Sequence, residues 1–325
     1  MTEKNTHSEN FLLVAQNGEG GLTSPRGFGN SVNAALVYLS ELTSATSRRT
    51  MASKLNKFSQ WAGYKDLYQC EWAKLRPEHV LAFFMVQEKK GIAPSTSNCY
   101  LAAIKGVARA AWMAGDMPHE IFLKIKNIKQ KRYYRLPRGR AISFDESKKL
   151  MDACSGDSPQ DIRDKAILAL MLGCGLRRGE IPYLRLENYD PIEKSLRLIG
   201  KGNKERKVFL PPPVVTALNA WILKFRPEDK GLIFCRFYKG GHLNLENPID
   251  PTSIGRITKA RMLEANNKAC SAHDLRRTFA TRLLDRHVDI VTVKNMMGHA
   301  NIATTALYDR RGEEEQQKVA NLSVL

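Results

Sequence analysis

Seventeen residues from Lys124 to Arg140 (KIKNIKQKRYYRLPRGR) carry eight basic side chains and no acidic one, with Pro137 and Gly139 near the end. Such a run resists burial, because each uncompensated charge would have to leave water. The proline and the glycine also stop a helix. The run therefore divides the 325-residue chain into two folding stretches, the number expected at about 100–200 residues per domain. The predicted order is a loose tail over 1–28, a helical domain over 29–125, a basic linker over 126–142, and a second domain over 143–325 with its own C-terminal tail.

Residues 1–28 are rich in Gly, Ser, Thr and Asn and lack the apolar spacing of a packed element. From Ser31 the apolar spacing becomes helical through Ala34, Ala35, Val37, Tyr38 and Leu42. Further helices are predicted over Ser47–Trp61, from Pro77 to Gly91, and from Ser95 or Thr96 to Met113. Beyond the linker, Ser143-Phe144-Asp145-Glu146 is a capping box that opens a helix to Cys154. A strongly apolar helix follows over Asp161–Leu172, ended by Gly173 and Gly175, and a short helix starts near Arg178. Ser195–Ile199 and Arg206–Leu210 alternate as strands around the polar turn GKGNKE, which reads as a β-hairpin. After Pro211-Pro212-Pro213, helices are predicted over 214–225, 251–265, 272–286, 289–297, 301–308 and 313–322. The fold class is mainly α with a small antiparallel sheet.

The net charge of +18 favours a polyanionic partner, nucleic acid or an anionic surface. Within the linker, Lys129, Lys131, Arg132, Arg135, Arg138 and Arg140 beside two tyrosines suit a strand that tracks phosphates. A solvated charged face is the ordinary alternative. The longest uncharged apolar run, Ala166 to Leu176, is about half the length that spans a bilayer. No long amphipathic stretch sets a basic face against an aromatic one, which weighs against membrane-surface binding. The six cysteines are scattered, without zinc spacing, and read as free buried thiols of a reducing cytoplasm. The first residues show no secretory signal, so a cytoplasmic, nucleoid-associated protein is expected.

Three segments combine cations with tight punctuation. Gly175-Leu176-Arg177-Arg178-Gly179-Glu180 brackets an arginine pair between glycines at a helix start, where free N–H groups also favour an anion. In Ser271-Ala272-His273-Asp274-Leu275-Arg276-Arg277, His273 and Arg276 share a helix face. Gly298-His299 is followed nine residues after the histidine by Tyr308. Taken singly, these are a surface cation, a solvated helix face and a packed tyrosine. Taken in order, with a hairpin lysine between the first and second, they suit a phosphodiester. Arginines clamp the non-bridging oxygens and stabilise their growing charge. Histidine moves a proton near neutral pH. A tyrosine attacks phosphorus, although its pKa near about 10 calls for neighbouring cations or a base. No carboxylate cluster has the spacing of a magnesium-dependent nuclease.

GLRRGE, GKGNKER, HDLRRTFAT and MMGHANIATTALY together resemble the tyrosine recombinase (phage integrase) family, most closely its Xer-type members, over residues 141–310. The resemblance implies an N-terminal helical (SAM-like) core-binding domain and a C-terminal mixed α/β catalytic domain. It implies Arg177, Lys201, His273, Arg276, His299 and the nucleophile Tyr308 as catalytic residues, with Glu180 in support. Lys204 stands in the same turn as Lys201 and leaves the choice of lysine open. The implied chemistry is attack by Tyr308 on a DNA phosphate, a 3′-phosphotyrosyl link and release of a 5′-hydroxyl, with Lys201 as the acid for the leaving oxygen. No cofactor, ATP or metal is expected. The implied partner is double-stranded DNA with inverted core half-sites. The implied assembly is a tetramer on two DNA sites, of this chain alone or with a related recombinase, with accessory DNA-bending proteins as further candidates. The two domains and linker would form a C-shaped clamp around duplex DNA, with steeply salt-dependent binding. The last residues would dock on a neighbour in trans or pack in cis.

Two rival readings share these features. A type IB topoisomerase-like enzyme would relax DNA as a monomer without exchanging partners. A non-catalytic DNA-binding clamp would keep the cations without the chemistry. Integration, excision and resolution of a mobile element or replicon are not separated by the sequence.

Overall fold

The computed structural model describes residues 33–132, 139–199, 205–228, 230–238 and 241–309. Two compact units divide the chain between Arg135 and Leu136. The first is helical among its described residues: α1 (Ala34–Glu41), α2 (Ala45–Trp61), α3 (Pro77–Lys89), α4 (Pro94–Met113) and α5 (His119–Lys126). Local chemistry sets the starts. The side chains of Asn33 and Ser44 accept backbone N–H groups of α1 and α2, and prolines open α3 and α4. The α4 helix runs through the core, burying Tyr100, Leu101, Ile104, Val107 and Ala111. Phe83 packs edge-on against both Phe58 and Tyr100, with ring centroids 5.2 Å apart in each pair.

The fifth helix was not anticipated. Only Phe122 and Ile125 of α5 are buried, so its apolar stripe is two residues long, and its last turn overlaps the lysine-rich run. The start of that run is held to α4. Lys105 Nζ donates to the Ile128 carbonyl at 2.7 Å, and Asn98 exchanges two hydrogen bonds with the Lys131 backbone at 2.9 and 3.0 Å.

The second unit is built around α7 (Pro159–Cys174), which follows α6 (Phe144–Asp152). Ala166 to Met171 is buried without interruption, as a helix packed on several sides requires. Helices α8 (Pro212–Phe225) and α10 (Ala272–Asp285) pack against α7, and α9 (Pro251–Glu264) contacts both α7 and α10. A three-stranded antiparallel sheet runs in the order β1 (Tyr189–Asp190), β2 (Ser195–Ile199), β3 (Glu205–Phe209), with Leu196 opposite Val208 and Leu198 opposite Arg206. The predicted hairpin is therefore present. Its turn, 200–204, lies outside the described residues.

A second antiparallel pair, β4 (Cys235–Phe237) and β5 (Leu243–Pro248), was not anticipated, nor was β1. β4 is only three residues long and β5 has no fully buried residue, so neither carries the pattern by which a strand is recognised. Gly173 does not end α7. It lies within the helix against Val214, whose Cγ2 would come within 2.4 Å of an added Cβ, and the left-handed Gly175 is the cap. The short helix expected near Arg178 is a 3-10 turn over Ile181–Tyr183. Helices α11 (Ile290–Met297) and α12 (Ile302–Ala306) complete the described chain. They enclose a smaller cluster of Phe279, Ala280, Leu284, Val293, Met297 and Tyr308, separate from the main core. The tails over 1–28 and from Arg310 onward lie outside the described residues. All six cysteines are free thiols. No described helix is long and apolar enough to cross a membrane.

Candidate active site

Helix ends place the candidate residues. Ser271 caps α10, and Asp274 returns the bond to the Ser271 backbone. His273 thus falls in the first turn of α10 and Arg276 one turn on. Gly298 ends α11 in a left-handed conformation, which delivers His299. Tyr308 follows α12, its backbone N–H bonded to the Thr305 carbonyl at 2.9 Å.

Arg276 is only 2% exposed. Its guanidinium donates to the carbonyls of Gly175 and, at 2.6 Å, Met297. These lie at the C-terminal ends of α7 and α11, where carbonyls lack helical partners and carry partial negative charge. One arginine therefore ties two helix ends to α10.

Arg177 follows the cap of α7. It donates from its backbone N–H and from one guanidinium nitrogen to the Glu180 carboxylate, both at 2.8 Å, and from the other nitrogen to the Gly298 carbonyl at 2.7 Å. Glu180, with a side chain 9% exposed, also receives both guanidinium nitrogens of Arg206 at 2.8 and 2.9 Å. Burial opposes the charge of Glu180, but Arg206 first and then Arg177 outweigh it and hold the carboxyl down at about 2.

The phenol of Tyr308 lies 3.1 Å from His273 Nε2. The ring is buried in the smaller cluster, and Arg277 sits over it at 5.5 Å. His299 pairs through Nδ1 with the buried hydroxyl of Thr305 at 2.9 Å. Burial, then Arg276 and Arg177, push the His299 imidazole down to about 4. Burial, then Arg277 and Arg276, lower that of His273. Burial raises the Tyr308 phenol against the pull of the same arginines. At neutral pH the site thus holds two neutral imidazoles, a protonated phenol and at least two guanidinium groups. A cleft of about 630 Å3 is lined by Arg177, Arg178, His273, Arg276, His299 and Tyr308. It is lined by cations, with a phenol already hydrogen-bonded to an imidazole.

Five of the six predicted catalytic side chains therefore line one cleft in a single chain, with Glu180 behind Arg177. Lys201 and Lys204 lie outside the described residues. So do Arg135 and Arg138, while Lys129 and Arg132 are exposed. Lys131 pairs with Glu88 at 3.0 Å. Arg140 bonds Glu146 through both terminal guanidinium nitrogens at 2.6 Å, which clamps the start of α6. Sequence reasoning missed Arg206, Arg277 and Thr305. Arg206 stood in the quoted hairpin run, but its partner is 26 residues earlier.

The Phage integrase family description matches residues 140–315. Tyrosine recombinase XerC of Alcanivorax borkumensis is 36% identical over 181 residues, 54% of this chain, and the chain spans 56% of that relative's length. Tyrosine recombinase XerC of Natranaerobius thermophilus is 30% identical over 275 residues, covering 79% of this chain and 89% of the relative. The solved structure of XerH site-specific recombinase bound to palindromic difH substrate, a post-cleavage complex, has a TM-score of 0.62 at 18% identity, covering 88% of this chain and 86% of the other. At that identity the likeness is one of fold.

Proposed function

This chain belongs to the phage integrase family, and from that premise we propose that Tyr308 is the nucleophile of a site-specific DNA recombinase. The enzyme cuts and rejoins DNA strands. Tyr308 Oη bonds to the scissile phosphorus, the P–O5′ bond breaks, and the 5′ oxygen leaves as a hydroxyl. The phenolic proton passes to His273 Nε2, and the leaving oxygen takes a proton from the hairpin lysine, Lys201. Arg177, Arg276 and His299 face the non-bridging oxygens and stabilise the charge that grows on them. Attack by a 5′-hydroxyl of a second strand reverses the sequence and reseals the DNA without an outside energy source. The observation that carries this reading is the 3.1 Å contact between the Tyr308 phenol and His273 in the cleft lined by Arg177 and Arg276.

The binding partner on this reading is a core site of two inverted half-sites, contacted by the helical unit and by the exposed Lys129 and Arg132. Four copies of the chain, or two with two of a related recombinase, act on two such sites.

A direct test starts from nicked duplexes with a randomised central segment. Adducts stable to detergent are recovered, the DNA is sequenced, and the protein is digested for mass spectrometry. Nucleotide mass on the peptide containing Tyr308 is expected; adducts elsewhere, or none, overturn the assignment. Two copies of the recovered site on one plasmid then give deletion or inversion products, whereas relaxation without exchange indicates a topoisomerase.

The lowered His273 pKa fixes a pH dependence. Neutral Nε2 accepts the phenolic proton and protonated Nε2 does not. The single-turnover cleavage rate is expected to stay level through neutral pH and to fall only below the ordinary imidazole range, about 6.5. His273→Gln should remove that acid limb and lower the plateau by about 10²-fold. An unchanged acid limb in the variant would exclude His273 as the proton acceptor.

A further inference from the structure

We infer that Arg206 is a positioning residue of this reaction: by satisfying Glu180 it leaves the charge of Arg177 available to the scissile phosphate. The inference rests on the function proposed above. Arg206 projects from β3, its side chain only 14% exposed, and grips both carboxylate oxygens of Glu180. A bidentate guanidinium–carboxylate pair fixes orientation as well as distance. The same carboxylate accepts the backbone N–H and one guanidinium nitrogen of Arg177. Four charge-assisted bonds thus converge on one buried acid.

The charge count decides what this does. Arg177 and Glu180 alone would neutralise each other, and a buried carboxylate short of donors would draw the whole Arg177 fork onto itself. With Arg206 present the trio carries a net positive charge, and Arg177 meets the carboxylate through a single guanidinium nitrogen. Arg206 also underlies the turn before His299. Gly298 has φ +63°, and an added Cβ there would lie 3.1 Å from Arg206 Cδ and Nη1. The Gly298 carbonyl accepts the other guanidinium nitrogen of Arg177 at 2.7 Å. One side chain therefore sets Arg177 through Glu180 and packs beneath the segment that carries His299. It does so from the hairpin whose turn holds the candidate lysines.

The test uses the full chain and the DNA site recovered by covalent trapping, in two forms: a normal scissile phosphate and a methylphosphonate, in which a methyl group replaces one non-bridging oxygen. Arg206→Gln is expected to slow single-turnover strand cleavage of the phosphate by about 10²-fold, the scale of losing one preorganised donor to a transition-state anion. DNA affinity should stay within about threefold, since the altered interaction acts on the reaction and not on uniform binding. On the uncharged methylphosphonate, where less negative charge needs stabilising, the deficit should shrink to within about threefold. A deficit equal on both substrates would show a purely structural role and overturn the inference, as would a wild-type rate on the phosphate. Arg206→Lys keeps the charge without the fork and is read by the same ratio if the glutamine variant does not fold. Absence of any wild-type adduct on Tyr308 would instead remove the underlying function.

Discussion

Tyr308→Phe is expected to yield no detergent-stable DNA adduct while binding the same site as the wild type. The substitution deletes one oxygen. The ring keeps its place among Phe279, Ala280, Leu284, Val293 and Met297, so the packing that holds the segment is unchanged. What disappears is the hydrogen bond to His273, and a single such bond contributes about 1 kcal/mol. The folded population and the cations of the cleft therefore persist, and only the atom that would bond to phosphorus is missing. Trapping on nicked duplexes reads the chemistry, and a mobility shift at matched salt reads binding. Adducts at the wild-type level would mean that another side chain performs the attack.

Arg276→Met should fail in both stability and rate. The buried guanidinium joins the carbonyl ends of α7 and α11, and methionine fills much of the volume without a donor. Each carbonyl left unsatisfied costs about 1–3 kcal/mol. Part of that is offset because burial and the adjacent Arg177 already press against the charge of Arg276. A net loss of about 1–3 kcal/mol is expected in denaturant unfolding. Cleavage by the folded fraction should fall by about 10²–10³-fold, because a fixed cation facing the phosphate is gone. Arg276→Lys restores the charge but cannot span two carbonyls with one ammonium group. It should recover little of the stability. Wild-type unfolding and cleavage in Arg276→Met would show that the helix ends and the phosphate are served by other groups.

Much of this arrangement was legible before folding, and the exceptions have physical causes. The α7 helix announced itself as an unbroken apolar run because it is packed on several sides. Pro77 and the Ser143 capping box marked where α3 and α6 begin. The α5 helix hid because two buried residues do not make a period, and β4 hid because three residues are too few to show an alternation. Among site residues, His273 and Arg276 share a helix turn and could be paired on spacing alone. Arg177, His299 and Tyr308 sit on separate elements and were grouped by family resemblance. Arg206 escaped because its meaning depends on Glu180, a contact that exists only once β3 is laid beside the end of α7. Thr305 escaped likewise, as one threonine of a pair, until α12 turned it toward His299.

The phenol-bearing segment rests on the small cluster of α10 and α11, not on the main core. Local opening is cheapest where few apolar contacts must part. On the function proposed above, the side chain that bonds phosphorus is thus mounted on the softer footing, while Arg177, flanked by Cys174, Leu176 and Ile181, stands on the main core. Rounds of strand transfer would then strain the small cluster first and leave the packing around α7 in place.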